Sequence, residues 1–328
     1  MIKSNVVCTL PMDPAGVSLL ADRANVIVAA DTKPETLYGL LDDADFLVVR
    51  SPLPEDIFDH PNRLRGVIRH GAGLDMIPVE SATAHGIPVA NVPGANAQAV
   101  AEYCIAAFLA LARGLQRADR ALREQGWHNA RALSDGAAQL MDKTVGIVGL
   151  GNVGSRLALA CHHGFAMRVL GYQPGRGEFP DCVQRCDLEE LLAAADYVVL
   201  ACPLTPQTRG MLNAVRLGLM RPGAALVNAA RGPIVDEAAL VEALRAGRIR
   251  AALDVFAVQP LPEGHPYLSL PDVLLTPHLA GLTQESRAAM SVGTAEQILQ
   301  LMAGKRPRHL ANPEVWPPHW LADPGEKA

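Results

Sequence analysis

The chain has 328 residues, 49% of them hydrophobic and 19% charged, enough apolar material for about two ordinary domain cores and far from a disordered composition. Lys and Arg number 29 against 34 Asp and Glu, a net charge of −5. That balance excludes the basic face that nucleic acid requires and the polybasic anchor of a membrane-surface protein. The longest strongly apolar run, 104–112, falls short of the about 20 residues that cross a bilayer. No long apolar segment follows the first five residues, so no signal peptide is expected. The 6 cysteines lack the paired spacing of a zinc site. They read as reduced thiols of a cytoplasmic protein, with no metal expected.

In chain order, strands are predicted at 5–9, 26–28, 46–49 and 67–69, with helices between them. A long helical pattern then runs from about 97 to 125, with apolar residues at Val100, Cys104, Ala107, Phe108, Leu111 and Leu115. Its length suits one continuous inter-domain or inter-subunit strut. Strands at 145–148, 168–172, 197–201, 225–228, 251–255 and 273–276 follow, with helices at 153–163, 188–194, 214–220 and 237–246 among them. A last helix is predicted at about 284–302, and the tail 307–328 is Pro-rich and assigned to the surface. This alternation implies α/β architecture with parallel sheets covered on both faces. Segments 40–49 and 191–200 each end a helix at Ala-Asp and open a buried strand, an echo that suggests two domains of related build. The expected division is one domain over 1–97 with 285–328 and a second, inserted domain over 98–284.

The strongest single motif is the strand–loop–helix of 144–154, in which Gly149, Gly151 and Gly154 form G-x-G-x-x-G. Gly149 permits the tight turn, Gly151 the approach of a pyrophosphate, and Gly154 the close packing of helix on strand. The helix start at Asn152 and Val153 then offers amide N–H groups and positive dipole to phosphate. NAD or NADP is the implied cofactor. A carboxylate is expected about 20 residues on, where it would hold the ribose hydroxyls; the position holds Gln173 instead, with Arg176 close behind. Loss of the carboxylate removes repulsion against a 2′-phosphate and Arg176 adds attraction, so the choice between the two cofactors stays open.

Three later segments each sit at the C-terminal end of a predicted strand: Val227 to Asp236, Ala252 to Leu261, and Leu275 to Gly281. In this order after the phosphate loop, they resemble the D-isomer-specific 2-hydroxyacid dehydrogenase family over about 45–312. The resemblance implies two doubly wound parallel-sheet domains, a Rossmann-type nucleotide domain inserted into a flavodoxin-like substrate domain. It implies hydride transfer between NAD(P)H and a small D-2-hydroxy or 2-oxo acid of the glyoxylate, hydroxypyruvate or phosphohydroxypyruvate class. Arg231 would grip the substrate carboxylate and adjacent carbonyl oxygen, and His278 would give and take the proton. Asp254 would contact the nicotinamide carboxamide side, and Cys202, Pro203, Thr208, Ala229, Ala230, Ala280 and Gly281 would line the cofactor. The loop holding Ala72 and Gly73 resembles the family's substrate-carboxylate loop, and Arg50 resembles an arginine that holds phosphate in phosphoglycerate dehydrogenases. Arg69 and His70 are placed either in the same pocket or at a strand cap. A homodimer is implied, with the long helix and 127–139 as the contact.

One position departs from the family pattern. A Glu usually precedes the proline and pairs with the catalytic His; here it is Gln259. A glutamine orients the ring but supplies no charge, so His278 is expected to titrate lower than in Glu-bearing relatives. Formate dehydrogenases resemble this chain in carrying Arg, His and Gln at these positions, and formate oxidation moves a hydride without a proton. That gives an enzymatic alternative. A non-catalytic NADH-sensing corepressor is the alternative from another class.

Overall fold

The computed structural model describes residues 3–175 and 177–322, so Arg176 lies outside the described residues. The chain divides into two compact units, Met1–Asn96 with Leu282–Ala328, and Ala97–Gly281. The divisions fall at Asn96 and Gly281, against the expected 97 and 284.

The first unit is built from β1 (Ser4–Cys8), α1 (Pro14–Leu20), β2 (Ala24–Val28), α2 (Pro34–Leu41), β3 (Phe46–Val49), β4 (Gly66–Arg69), α3 (Val79–Ala84) and β5 (Val89–Ala90). Its five strands are parallel, in the order β2-β1-β3-β4-β5, the flavodoxin-like arrangement. Both faces are covered, so β3 at the centre of the sheet is apolar and buried at every position and not at alternate ones. In β3, Leu47 and Val49 pack with Leu37, Leu41, Ile57 and Phe58, while Phe46 and Val48 pack with Leu20, Ile298 and Leu301. Those last two residues come from the far end of the chain.

The second unit contains α4 (Ala97–Arg113), α5 (Leu115–Gln125), α6 (Trp127–Ala132), β6 (Thr144–Val148), α7 (Asn152–Leu159), β7 (Arg168–Tyr172), β8 (Val183–Arg185), α8 (Leu188–Ala194), β9 (Tyr197–Leu200), α9 (Ala214–Leu219), β10 (Ala225–Asn228), α10 (Glu237–Arg245), β11 (Arg250–Leu253) and β12 (Val273–Leu275). Its seven strands are also parallel, in the order β12-β11-β10-β9-β6-β7-β8, the Rossmann arrangement with one strand added. Val198 and Leu200 of β9 face Leu191, Leu217 and Leu240; Tyr197 and Val199 face Phe108, Leu157 and Cys104. The chain then returns to the first unit through α11 (Gln284–Met302), opened by a Thr283–Ser286 capping box, and α12 (His319–Ala322).

The long strut predicted over 97–125 is two helices. Gly114 takes φ 58, and α4 and α5 bend by 52° there. The apolar spacing runs on through Leu115, which hid the break, yet Leu115 is 53% exposed and α5 buries only Ala121. Among the described residues no single helix is long and apolar enough to cross a membrane.

Candidate active site

The phosphate loop joins β6 to α7. Gly149 sits at φ 98, and a Cβ there would lie 2.8 Å from the backbone of Ala201. A Cβ on Gly154 would collide with the Gly149 carbonyl oxygen, so this glycine sets the distance between helix and strand. Gly151 differs: its φ is −76, and a Cβ would meet nothing within 4 Å. The protein's own packing does not require glycine there, and an approaching pyrophosphate does. With the N-terminus of α7 directly after it, the loop fits a dinucleotide.

Gln173 follows β7. Its Oε1 accepts from Leu150 N at 2.8 Å, which turns the Nε2 donor toward Gly177. The segment beyond is held by Arg185, which donates to the carbonyls of Gly175 (3.0 Å) and Gly177 (2.6 Å) and lies 4.2 Å over the Phe179 ring. At the end of β9, Thr208 Oγ1 donates to Pro203 O at 2.8 Å and closes the turn that carries Cys202 and Pro203. Burial pushes the Cys202 thiol up to about 11, so it is no nucleophile.

Arg231 leaves the sheet at β10. The preceding Asn228 is buried; its Oδ1 accepts from Ala230 N at 3.1 Å and its Nδ2 donates to Arg231 O at 2.9 Å, fixing the Ala229–Ala230–Arg231 turn. Arg231 Nη1 donates to Ala230 O at 2.7 Å. Gly232 lies so close to the backbone of Phe256 and Ala257 that any Cβ would overlap it. The loops after β10 and β11 are therefore packed backbone to backbone.

His278 leaves the sheet at β12, on the same carboxyl edge, with only β11 between its strand and that of Arg231. Two strand spacings put the exits about 10 Å apart. His278 Nδ1 lies 2.9 Å from Gln259 Oε1, and Gln259 Nε2 points back to Phe256 O at 3.4 Å. The glutamine oxygen accepts, so Nδ1 carries the proton and Nε2 is the reactive nitrogen. His278 itself sits at φ 54, left-handed backbone for a residue with a side chain. Asp254 is 1% exposed. Its Oδ1 accepts from Leu279 N (2.8 Å) and Thr276 Oγ1 (2.7 Å), and its Oδ2 from Ala280 N (2.9 Å). Asp254, read above as a cofactor contact, thus turns its carboxylate onto the turn that carries His278. Tyr103 from α4 completes the chain, 2.6 Å from Thr276 Oγ1.

In the first unit, Thr9 Oγ1 accepts from the amides of Arg50 (2.9 Å) and Ser51 (3.2 Å). This ties the ends of β1 and β3 together at the point where the strand order reverses, the position where open α/β sheets bind ligands. Arg50 is half-buried, and its guanidinium is held below its usual range by burial and then by the like charge of Arg287 on α11. Ser51 Oγ is buried with no hydrogen-bond partner. Arg69 serves as a strand-end clamp: it donates to Gly73 O (3.0 Å), Val49 O (3.0 Å) and His70 O (2.7 Å), shaping the loop of Ala72 and Gly73. His70 is 3% exposed and shares a 2.7 Å hydrogen bond with Ser291 Oγ. Burial and the nearby Arg50 charge pull its pKa down to about 4, so it stays neutral.

Asn228, Thr276, Tyr103, Ser51 and Arg287 were not singled out from the sequence as site residues. Thr276 and Asn228 lay inside quoted motifs, and Tyr103 sits on a helix face that reads as plain core. Among the described residues no group of His, Cys, Asp and Glu is placed to hold a metal ion.

Against known families, residues 105–280 match the D-isomer specific 2-hydroxyacid dehydrogenase, NAD binding domain. The chain belongs to the D-isomer-specific 2-hydroxyacid dehydrogenase family. It is 36% identical over 317 residues to D-3-phosphoglycerate dehydrogenase of Methanocaldococcus jannaschii, covering 94% of this chain but only 59% of that relative. To glyoxylate reductase of Aeropyrum pernix it is 37% identical over 331 residues, covering 96% of this chain and 98% of the relative. Among solved structures, the NADPH-dependent glyoxylate/hydroxypyruvate reductase of Sinorhizobium meliloti, in complex with NADP and malonate, matches with a TM-score of 0.82 at 28% identity. That match covers 94% of this chain and 97% of the other.

Proposed function

We propose that this member of the family is an NAD(P)-dependent dehydrogenase moving a hydride between the nicotinamide and C2 of a small D-2-hydroxy or 2-oxo acid. The observation that carries the reading is the His278–Gln259 pair on the sheet edge that also presents Arg231. The bound dinucleotide supplies or accepts the hydride. The planar fork of Arg231 suits the substrate carboxylate and the neighbouring carbonyl oxygen, which orients C2. His278 donates a proton from Nε2 to the carbonyl oxygen during reduction and takes it from the hydroxyl during oxidation. Gln259 holds the ring through Nδ1 in both protonation states, since either form has a proton there to donate. Gly149, Gly151, Asn152, Val153 and Gly154 would hold the pyrophosphate. Gln173, Cys202, Pro203, Thr208, Ala229, Ala230, Ala280 and Gly281 belong to the same cofactor set, at the carboxyl ends of β7, β9, β10 and β12.

Arg50, Ala72 and Gly73 are assigned to the substrate's anionic groups. Two guanidinium groups placed to repel each other suit an anion that neutralises them. Within the glyoxylate, hydroxypyruvate and phosphohydroxypyruvate class, this favours the phosphorylated acid. The chain is further read as a homodimer formed through α5, α6 and the residues up to 139. Leu115, Leu122 and Trp127 are 53%, 48% and 64% exposed there. Its free cysteines suit a reducing compartment, the cytoplasm.

The test is a steady-state screen of the three 2-oxo acids and formate, each with NADH or NADPH (or the oxidised forms for formate). Turnover of a 2-oxo acid supports the reading. Turnover of formate alone transfers the His278–Gln259 pair to proton-free hydride transfer. Cofactor binding without turnover of any compound favours a sensing protein.

A further inference from the structure

We propose that Tyr103 and Thr276 are positioning residues for His278, acting through Asp254 in a one-way relay of hydrogen bonds. The inference rests on the reading of His278 as the proton donor. His278 holds φ 54, a conformation that a residue with a Cβ keeps only where its surroundings dictate it. Here the surroundings include the main chain and side chain of one aspartate, beside a second contact from His278 N to Thr276 O at 3.1 Å. His278 N donates to Asp254 O at 2.8 Å, and the next two amides, Leu279 N and Ala280 N, donate to Oδ1 and Oδ2 at 2.8 and 2.9 Å. The orientation of the Asp254 carboxylate therefore sets the backbone from which the imidazole projects.

That orientation has its own support. Thr276 Oγ1 donates its only proton to Asp254 Oδ1 at 2.7 Å, so the oxygen can only accept from its other neighbour. The neighbour is Tyr103 Oη at 2.6 Å, which must then be the donor. Each proton in the chain Tyr103 to Thr276 to Asp254 has one possible direction. Burial raises the Tyr103 phenol to about 12, so it keeps its proton across the working range. Gln259 fixes the rotation of the His278 ring by a separate contact, at Nδ1. The relay governs where the ring stands, and Gln259 governs which way it faces and how it titrates.

The two controls separate by experiment. Tyr103→Phe keeps the ring and removes the donor; Thr276→Val removes the link; Thr276→Ser restores it. For Tyr103→Phe we expect kcat to fall about tenfold and for Thr276→Val more, from displacement of the proton donor. NADH affinity, read by fluorescence titration, stays within about twofold, and the alkaline limb of the reduction profile does not move. Thr276→Ser recovers most of the activity. Hydrogen exchange supplies a readout independent of turnover: the amides of Leu279 and Ala280 lose protection in Tyr103→Phe and Thr276→Val and regain it in Thr276→Ser. The relay is overturned if both amides stay as protected as in the parent protein, or if the serine variant behaves like the valine one. Loss of protection in a protein that turns over no 2-oxo acid would keep the relay and sink the reading of His278 instead.

Discussion

At the scale of single residues, the proposed proton donor His278 is paired with a neutral partner, Gln259. Gln259 Oε1 meets His278 Nδ1 at 2.9 Å, the geometry a carboxylate would also adopt. Gln259→Glu should therefore raise the His278 pKa, since an adjacent anion favours imidazolium. The proposed reduction needs the protonated ring, so its alkaline limb should move to higher pH; a profile of kcat/KM against pH reads the shift. A second residue-scale expectation concerns Gln173. Its amide oxygen is committed to Leu150 N, which leaves the donor end facing the loop beyond β7. Gln173→Asp should weaken NADPH binding by about tenfold or more and leave NADH binding within about threefold, because a carboxylate repels a 2′-phosphate and accepts from a 2′-hydroxyl. Direct titration of both cofactors measures this. The placement of Arg231 and His278 at the carboxyl edge of one sheet, and of Gln259 beside His278, was legible in the sequence because each follows a strand in a recognisable motif. Tyr103 was not, because a buried phenol and a buried phenyl leave the same trace in a helical pattern.

At the scale of elements, two glycines of one loop have separable duties. Gly154→Ala should destabilise the fold by about 1–3 kcal/mol, because the added methyl meets the Gly149 carbonyl and drives α7 off the sheet. Gly151→Ala should leave the urea midpoint nearly unchanged and raise the Kd for NADH about tenfold, because its space is open. Paired denaturation and binding curves distinguish the two. The strands and most helices of the sheets could be read directly: 188–194 and 284–302 coincide with α8 and α11, and 46–49, 168–172 and 225–228 with β3, β7 and β10. What escaped was punctuation and pairing. The short β5 and β8 carry too few residues to show a pattern, and they exist because a neighbouring strand is there to pair with. Gly114 lies inside the run predicted as one helix, and its left-handed backbone bends the chain there.

At the scale of the whole molecule, His70 ties stability to pH. Its folded pKa of about 4 lies below the ordinary histidine value of 6.5, so between those values the unfolded chain binds more protons than the folded one. Stability from the first unit should be full above about pH 6.5 and decline as pH falls toward 4. His70→Gln should flatten that decline in urea titrations at several pH values. If the exposed side of α5 and α6 joins two copies, Leu122→Glu combined with Trp127→Glu should yield a monomer in sedimentation. The split of the first unit has a further consequence, for synthesis on the ribosome. Strands β1 to β5 emerge first, yet one side of their sheet is closed by Ala295, Ile298 and Leu301 of α11. While the Rossmann-type unit is being made, Val6, Phe46, Val48 and Ile68 have Leu20 of α1 against them but not α11, a nascent surface for holdase chaperones that disappears only when α11 arrives.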